Sequence, residues 1–241
     1  MARKRDIATA VSEWFAAHAR SLPWRTEMDG QRDPYRALVA EFMLQQTQVS
    51  RVLERFEGFV ARFPTVAALA AAEEDEVLAA WSGLGYYRRA RMLHAAARVV
   101  RDEFGGRLPE GVAELKRLPG VGRYTAGAIS SIVFGRAEPI VDGNVVRVLS
   151  RVDGVEGEAD HARAWARAEE LVGGATRPDL FNEGLMELGA TVCTPRGPRC
   201  GACPLGAVCV ARERGMQESI PAAKVRVERR ALYACAAVAV D

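Results

Sequence analysis

The chain has 241 residues, 49% of them hydrophobic and 7% aromatic, enough apolar material for one large or two modest buried cores. Its 33 basic and 31 acidic residues leave a net charge of only +2, so bulk charge neither demands nor excludes a nucleic-acid partner. No apolar run approaches the roughly 20 residues of a membrane span, and no apolar signal core follows the basic start Met1-Ala2-Arg3-Lys4-Arg5; an intracellular protein is expected, cytoplasmic and nucleoid-associated in a bacterial cell.

Helical periodicity dominates, and the predicted fold is all-α. Ile7 to His18 is amphipathic, with Ile7, Val11, Trp14 and Phe15 on one face, and Leu22-Pro23-Trp24-Arg25 ends it. After a polar loop, Tyr35 to Gln46 reads as a mostly buried helix and Val49 to Phe63 as one longer helix stopped by Pro64. Thr65 caps a short helix through Leu69, and Glu73 to Trp81 follows. The turn Ser82-Gly83-Leu84-Gly85 leads into an arginine-rich helix from Tyr86 to Phe104, closed by Gly105-Gly106. Val112 to Leu118 and Tyr124 to Phe134 flank Pro119-Gly120-Val121-Gly122-Arg123. Asn144 to Val152, His161 to Leu171 and Leu180 to Leu188 complete the helices. The chain turns charged and irregular from Arg214 to Arg230, like a linker, and Ala231 to Val240 resembles an unpaired strand.

Three features carry chemistry. Cys193, Cys200, Cys203 and Cys209 stand with six, two and five residues between them, among glycines and prolines. Four thiolates on one compact loop suit a single metal centre, and this spacing favours a 4Fe–4S cluster. Zinc, the alternative, usually takes two short-spaced pairs held well apart. Cys235 lies apart and reads as an ordinary buried thiol. Second, Gly120 and Gly122 form a hairpin before a helix, where backbone amides can meet a DNA phosphate; the same glycines could serve a plain turn. Third, two carboxyls sit in contrasting settings. Glu41 lies in the apolar run Leu38-Val39-Ala40-Glu41-Phe42-Met43-Leu44, where desolvation keeps a carboxyl protonated and able to donate. Asp142 precedes a helix; capping and charge stabilisation are compatible roles for it. Two carboxyls so divided suit cleavage of a glycosidic bond.

Together these segments resemble the helix–hairpin–helix DNA glycosylase superfamily. Leu22-Pro23-Trp24-Arg25, Glu41 through Val49, Gly83-Leu84-Gly85-Tyr86-Tyr87, Asp142-Gly143-Asn144-Val145 and Phe181-Asn182-Glu183 look like its MutY-type adenine glycosylase branch, over about residues 7 to 230. The resemblance implies two helical domains with a DNA cleft between them. A six-helix, barrel-like domain with the hairpin would span 26–136; the cluster domain would combine 1–25 with 137–214, and 215–241 would be a linker or the start of a further domain. It also implies that Glu41 protonates the adenine and later activates water, that Asp142 stabilises the sugar cation, and that Tyr124 and Asn144 support that centre. Trp24, Arg25 and Glu183 would line the base pocket. Gln46 and Tyr86 would wedge into the stack where the base is extruded, with Leu84 grouped among the substrate contacts. Relatives hold a monovalent cation at hairpin carbonyls matching Lys116, Leu118 and Val121.

Endonuclease III-like relatives carry lysine where this chain has Tyr124, so Schiff-base strand cleavage is not expected. The chain stops about where an 8-oxoguanine-reading domain would begin in the branch. A monomer acting on double-stranded DNA with a mispaired adenine is expected. The alternatives are a thymine or uracil mismatch glycosylase of the same superfamily and a non-catalytic iron–sulfur DNA-binding module.

Overall fold

The computed structural model describes residues 2–28 and 31–223. The predicted terminal strand and Cys235 lie outside the described residues. Within them the fold is all-α except for one small hairpin, in which β1 (Glu27–Met28) pairs antiparallel with β2 (Gln31–Arg32) where a plain loop is expected.

Caps explain where several helices begin. After α1 (Ala2–His18) and a 3-10 turn at Pro23–Arg25, α2 (Pro34–Leu44) starts at Asp33, whose carboxylate accepts from the amides of Tyr35 and Arg36 at 2.8 and 3.3 Å, with Pro34 in the first turn. The single helix expected over 49–63 is instead two, α3 (Val49–Leu53) and α4 (Phe56–Arg62). At the break the Arg55 amide bonds the Val52 carbonyl three residues back. The offset turns Phe56 edge-on to Trp24, 5.3 Å between centroids, so tertiary packing overrides a continuous apolar pattern. Thr65 caps α5 (Val66–Ala71) through the Ala68 amide, and Glu73 with Glu76 forms a capping box on α6 (Glu74–Ala80).

α7 (Arg88–Glu103) and α8 (Val112–Leu115) lead to the hairpin and α9 (Arg123–Ala128), which widens into a π-helical turn at Ile129–Val133 that the periodicity does not reveal. Gly120 has φ +80°, and a Cβ there would stand 2.8 Å from Phe42 Cε1 and 2.9 Å from Met92 Cβ. Only glycine satisfies both conditions. α10 (Gly143–Asp153) starts at Asp142, α11 (His161–Val172) at Asp160, and α12 (Pro178–Thr191) carries Pro178 in its first turn. A 3-10 turn at Cys200–Ala202 and the short α13 (Val210–Glu213) shape the cysteine loop.

Two hydrophobic clusters form. One gathers Leu38, Phe42, Phe56, Phe59, Trp81, Leu93, Leu115 and Ile129 from the segments between α2 and the π turn. The other joins Ile7 and Val11 of α1 to Val145 and Leu149 of α10, Leu171 of α11 and Phe181, Leu185 and Leu188 of α12. The N-terminal helix thus packs with the C-terminal half, along α12. Fully buried Asn182 ties the two sides, donating to Ser131 Oγ at 2.7 Å and to the Glu138 carbonyl at 2.8 Å.

Candidate active site

A cavity of about 280 Å³ draws its wall from both clusters, and Glu41, Tyr124, Asp142, Asn144, Trp24, Arg25 and Glu183 all line it. Seven residues spread over 160 positions of sequence therefore meet at one place.

Glu41 sits on α2, half-buried, and no basic side chain among the described residues pairs with it. Burial first, then the charges of Glu183 and Asp142, pushes its carboxyl up to about 8. The apolar helical run is the cause: it removes water without supplying a cation. Asp142 caps α10, one oxygen accepting from the Val145 amide at 2.8 Å and the other from Asn144 Nδ2 at 2.8 Å. Both of its oxygens are fixed in direction. Asn144 is itself held, its Oδ1 accepting from Arg147 Nη2 at 2.8 Å, and Arg147 continues to the carbonyls of Gly189 (2.9 Å) and Cys193 (2.8 Å). Tyr124, at the start of α9, points its hydroxyl at Met186 Sδ, 3.2 Å away. Burial, then Glu41, Asp142 and Glu183, holds this phenol well above its usual value, so it stays protonated.

The opposite wall is ionic. Glu183 accepts from Arg25 Nε at 2.9 Å and Arg32 Nη2 at 2.8 Å; Glu187, one turn on, accepts from Arg20 Nε at 2.6 Å and Arg25 Nη2 at 3.1 Å. Burial alone would raise Glu187; the bond from Arg20 and the charges of Arg25 and Arg20 outweigh it and lower the carboxyl. Arg20, Arg32, Glu187 and Met186 line the cavity but escape sequence reasoning. The available signal was the pair Glu183 and Glu187, four apart on one helix among the apolar Phe181, Leu185 and Leu188.

Gln46 and Tyr86 lie outside this cavity. Both are exposed, Tyr86 by 64%, and both hold left-handed backbone, φ +55° and +46°. They share a separate open groove with Lys116, Leu118, Gly120 and Gly122 of the hairpin. Leu84 is a correction: it is 5% exposed and packs in the first core. The positive-φ glycines on either side, Gly83 and Gly85, turn its side chain inward.

Cys193, Cys200, Cys203 and Cys209 are free thiols that line one further cavity with Val148, Val152, Leu188 and Leu205. Arg151 Nη1 donates to Cys193 Sγ at 3.3 Å. Burial pushes the Cys203 thiol up to about 11, with the other three thiols adding to it. Among the described residues no group of three or more His, Cys, Asp or Glu is set to hold a metal ion.

Residues 39–173 match the family model described as HhH-GPD superfamily base excision DNA repair protein. The chain is 46% identical over 231 residues to a human protein named adenine DNA glycosylase, covering 90% of this chain and 42% of that one. It is also 46% identical over 196 residues to the adenine DNA glycosylase of Mycolicibacterium smegmatis, covering 80% and 65%. The chain spans about two fifths of the length of the human, rat and mouse relatives. The solved structure of a thermostable thymine-DNA glycosylase superposes with a TM-score of 0.77 at 31% identity, over 88% of this chain and 98% of that one.

Proposed function

We propose that the chain, which belongs to the HhH-GPD superfamily of base excision DNA repair proteins, hydrolyses the N-glycosidic bond of a mispaired adenine in double-stranded DNA. One observation carries the reading: a carboxyl held protonated to about pH 8 shares a cavity with a second carboxyl fixed by an amide and an asparagine. Adenine is preferred over thymine because curated relatives at 46% identity bear that name, against 31% for the thymine-DNA glycosylase.

Neutral Glu41 donates its proton to N7 of the extruded adenine. The glycosidic bond then breaks with its electron pair on the base, and a positive charge develops at the sugar C1′. The carboxylate of Asp142, oriented by the Val145 amide and Asn144, faces that charge. Glu41, now ionised, takes a proton from water as the oxygen adds to C1′, and the acid form returns. Tyr124 stays a neutral donor and offers no amine to the sugar, so the abasic strand stays intact and the enzyme is monofunctional. Trp24, Arg25 and Glu183 bound the base.

Gln46 and Tyr86 fill the stack that the adenine leaves, and the amides around Gly120 and Gly122 receive a phosphate. The hairpin carbonyls of Lys116, Leu118 and Val121 hold a monovalent cation. The four cysteines hold a 4Fe–4S cluster; four free thiols lining one cavity on a compact loop support that reading. When bound, it supplies a four-point staple for the loop after α12. The two hydrophobic clusters are read as two domains, the molecule as a monomer, and the opposite base as 8-oxoguanine or guanine.

The test is single-turnover release of free base from duplexes holding A opposite 8-oxoguanine, T opposite G and U opposite G. Adenine from the first alone is expected. Thymine or uracil release without adenine moves the assignment to the mismatch glycosylases, and no release from any duplex leaves a DNA-binding module.

A further inference from the structure

Arg89, on the first turn of α7, is 7% exposed and forms no ion pair among the described residues. Its guanidinium instead gathers oxygens from two loops. Nη1 donates to the carbonyls of Phe42 (3.1 Å), Met43 (2.9 Å) and Gln45. Nη2 donates to Thr47 Oγ1 (3.0 Å) and to the carbonyls of Leu84 (3.1 Å) and Gly85 (3.3 Å). The rings of Trp81 and Tyr86 stand 5.6 and 5.4 Å from its centre. A buried cation without a carboxylate is costly unless dipoles replace its water. Here the orphaned carbonyls at the end of α2 and those of the 84–85 turn do so for the two terminal nitrogens, while Nε is buried without a hydrogen-bond partner among the described residues.

The oxygens flank Gln46 and Tyr86, the two non-glycine residues that hold left-handed backbone among the described residues. Gln46 lies between acceptors at 45 and 47, and Tyr86 directly follows acceptors at 84 and 85. Left-handed backbone at such residues persists only where the surroundings over-determine it. We infer that Arg89 is a positioning residue which sets Gln46 and Tyr86 as one rigid pair, so that extrusion of a base does not have to order two separate loops. The inference rests on the reading that these two side chains enter the DNA stack. The planar fork explains arginine here: lysine carries three donors on a single nitrogen and cannot span both loops.

The experiment compares the cluster-loaded full chain with Arg89→Lys. One duplex carries 2-aminopurine beside an adenine opposite 8-oxoguanine; a second presents the adenine in an unpaired bulge, where extrusion costs less. Stopped-flow fluorescence reads unstacking and single-turnover assays read release. Arg89→Lys is expected to lower unstacking and release on the paired duplex about tenfold, the scale of one unsupported left-handed residue, and release from the bulge by less than about twofold. Equal losses on both duplexes, or none, would overturn the inference. If Arg89→Lys does not fold, Thr47→Val removes one acceptor at constant shape. It should show the same paired-over-bulged contrast at roughly twofold to threefold, and no contrast would sink the idea. Unstacking by wild type without adenine release would defeat the proposed function, while the fluorescence comparison still decides the role of Arg89.

Discussion

At the scale of single residues, the environment of Glu41 would set both a rate and a stability if it is the proposed acid. Only the protonated carboxyl can donate, so base release should fall as pH rises through about 8. The same group works against the fold. Its folded value lies above the ordinary 4.5, so the unfolded chain loses this proton before the folded one does, and stability present below about pH 4.5 is lost as pH climbs towards 8. Glu41→Gln should therefore cut single-turnover release by at least about a hundredfold while raising the unfolding free energy, most at pH 8 and above, by on the order of a few kcal/mol at most. A variant that is inactive but less stable at pH 8 would show that Glu41 is ionised and paired instead. Tyr124 supports a second expectation. Tyr124→Lys sets an amine beside Glu41 and Asp142. Strand nicking and borohydride-trapped adduct should rise from a wild-type background near zero. Lysine that destabilises without nicking would mean that Tyr124 merely packs on Met186. Glu41 and Asp142 were legible because each is a lone acid beside an apolar segment. Arg20 and Arg32 were not, because nothing local separates two cavity arginines from the many on the surface.

Among the elements, α10 and α12 matter most, because their contact aims the second carboxyl. A Cβ on Gly189 would stand 2.5 Å from Asn144 Cβ and 3.1 Å from its Cα and carbonyl oxygen, so two helix backbones meet there. Asp142 caps the helix that begins at this contact. Gly189→Ala should push α10 away and turn Asp142 with it, lowering adenine release at least about tenfold at a stability cost of about 1 to 3 kcal/mol. Single-turnover kinetics beside urea unfolding checks both parts; release at the wild-type rate would mean that α10 yields without moving its cap. Some helix starts were readable from local chemistry, as at Thr65 and Asp142, since a cap is a property of adjacent residues. The break at Arg55, the π turn at 129–133 and the pairing of β1 with β2 were not. The first serves a ring contact with Trp24, and the second accompanies a hydrogen bond from Asn182, 51 residues after Ser131. Tertiary partners at such distances leave no mark on a local pattern.

For the molecule as a whole, the all-α class follows from periodicity alone, whereas the cavity depends on pairings such as Arg25 with Glu183, 158 residues apart. Motif order suggested that these residues meet; only packing of the first core against the second shows how. That arrangement makes the cysteine loop more than a remote appendage. Arg151, on α10 and 2% exposed, donates to Cys193 Sγ, to the Thr194 carbonyl at 2.8 Å and to the Ile220 carbonyl at 2.7 Å. Arg147 joins the Cys193 carbonyl to Asn144. Loosening the loop thus acts first on α10 and α12, which carry Asp142, Asn144 and Glu183, while Glu41 belongs to a core that the loop does not touch. If the cysteines hold iron and sulfide, protein prepared without oxygen should be brown, and iron removal should speed amide exchange over 193–213, then over α10 and α12, well before α7. Adenine release should fall in step with exchange in α10 and return on reconstitution with iron and sulfide. Zinc without iron in the native protein would refute the cluster. Exchange rising equally in α7 and α10 would mean that the two cores open as one unit, in which case the loop governs Glu41 as much as Asp142.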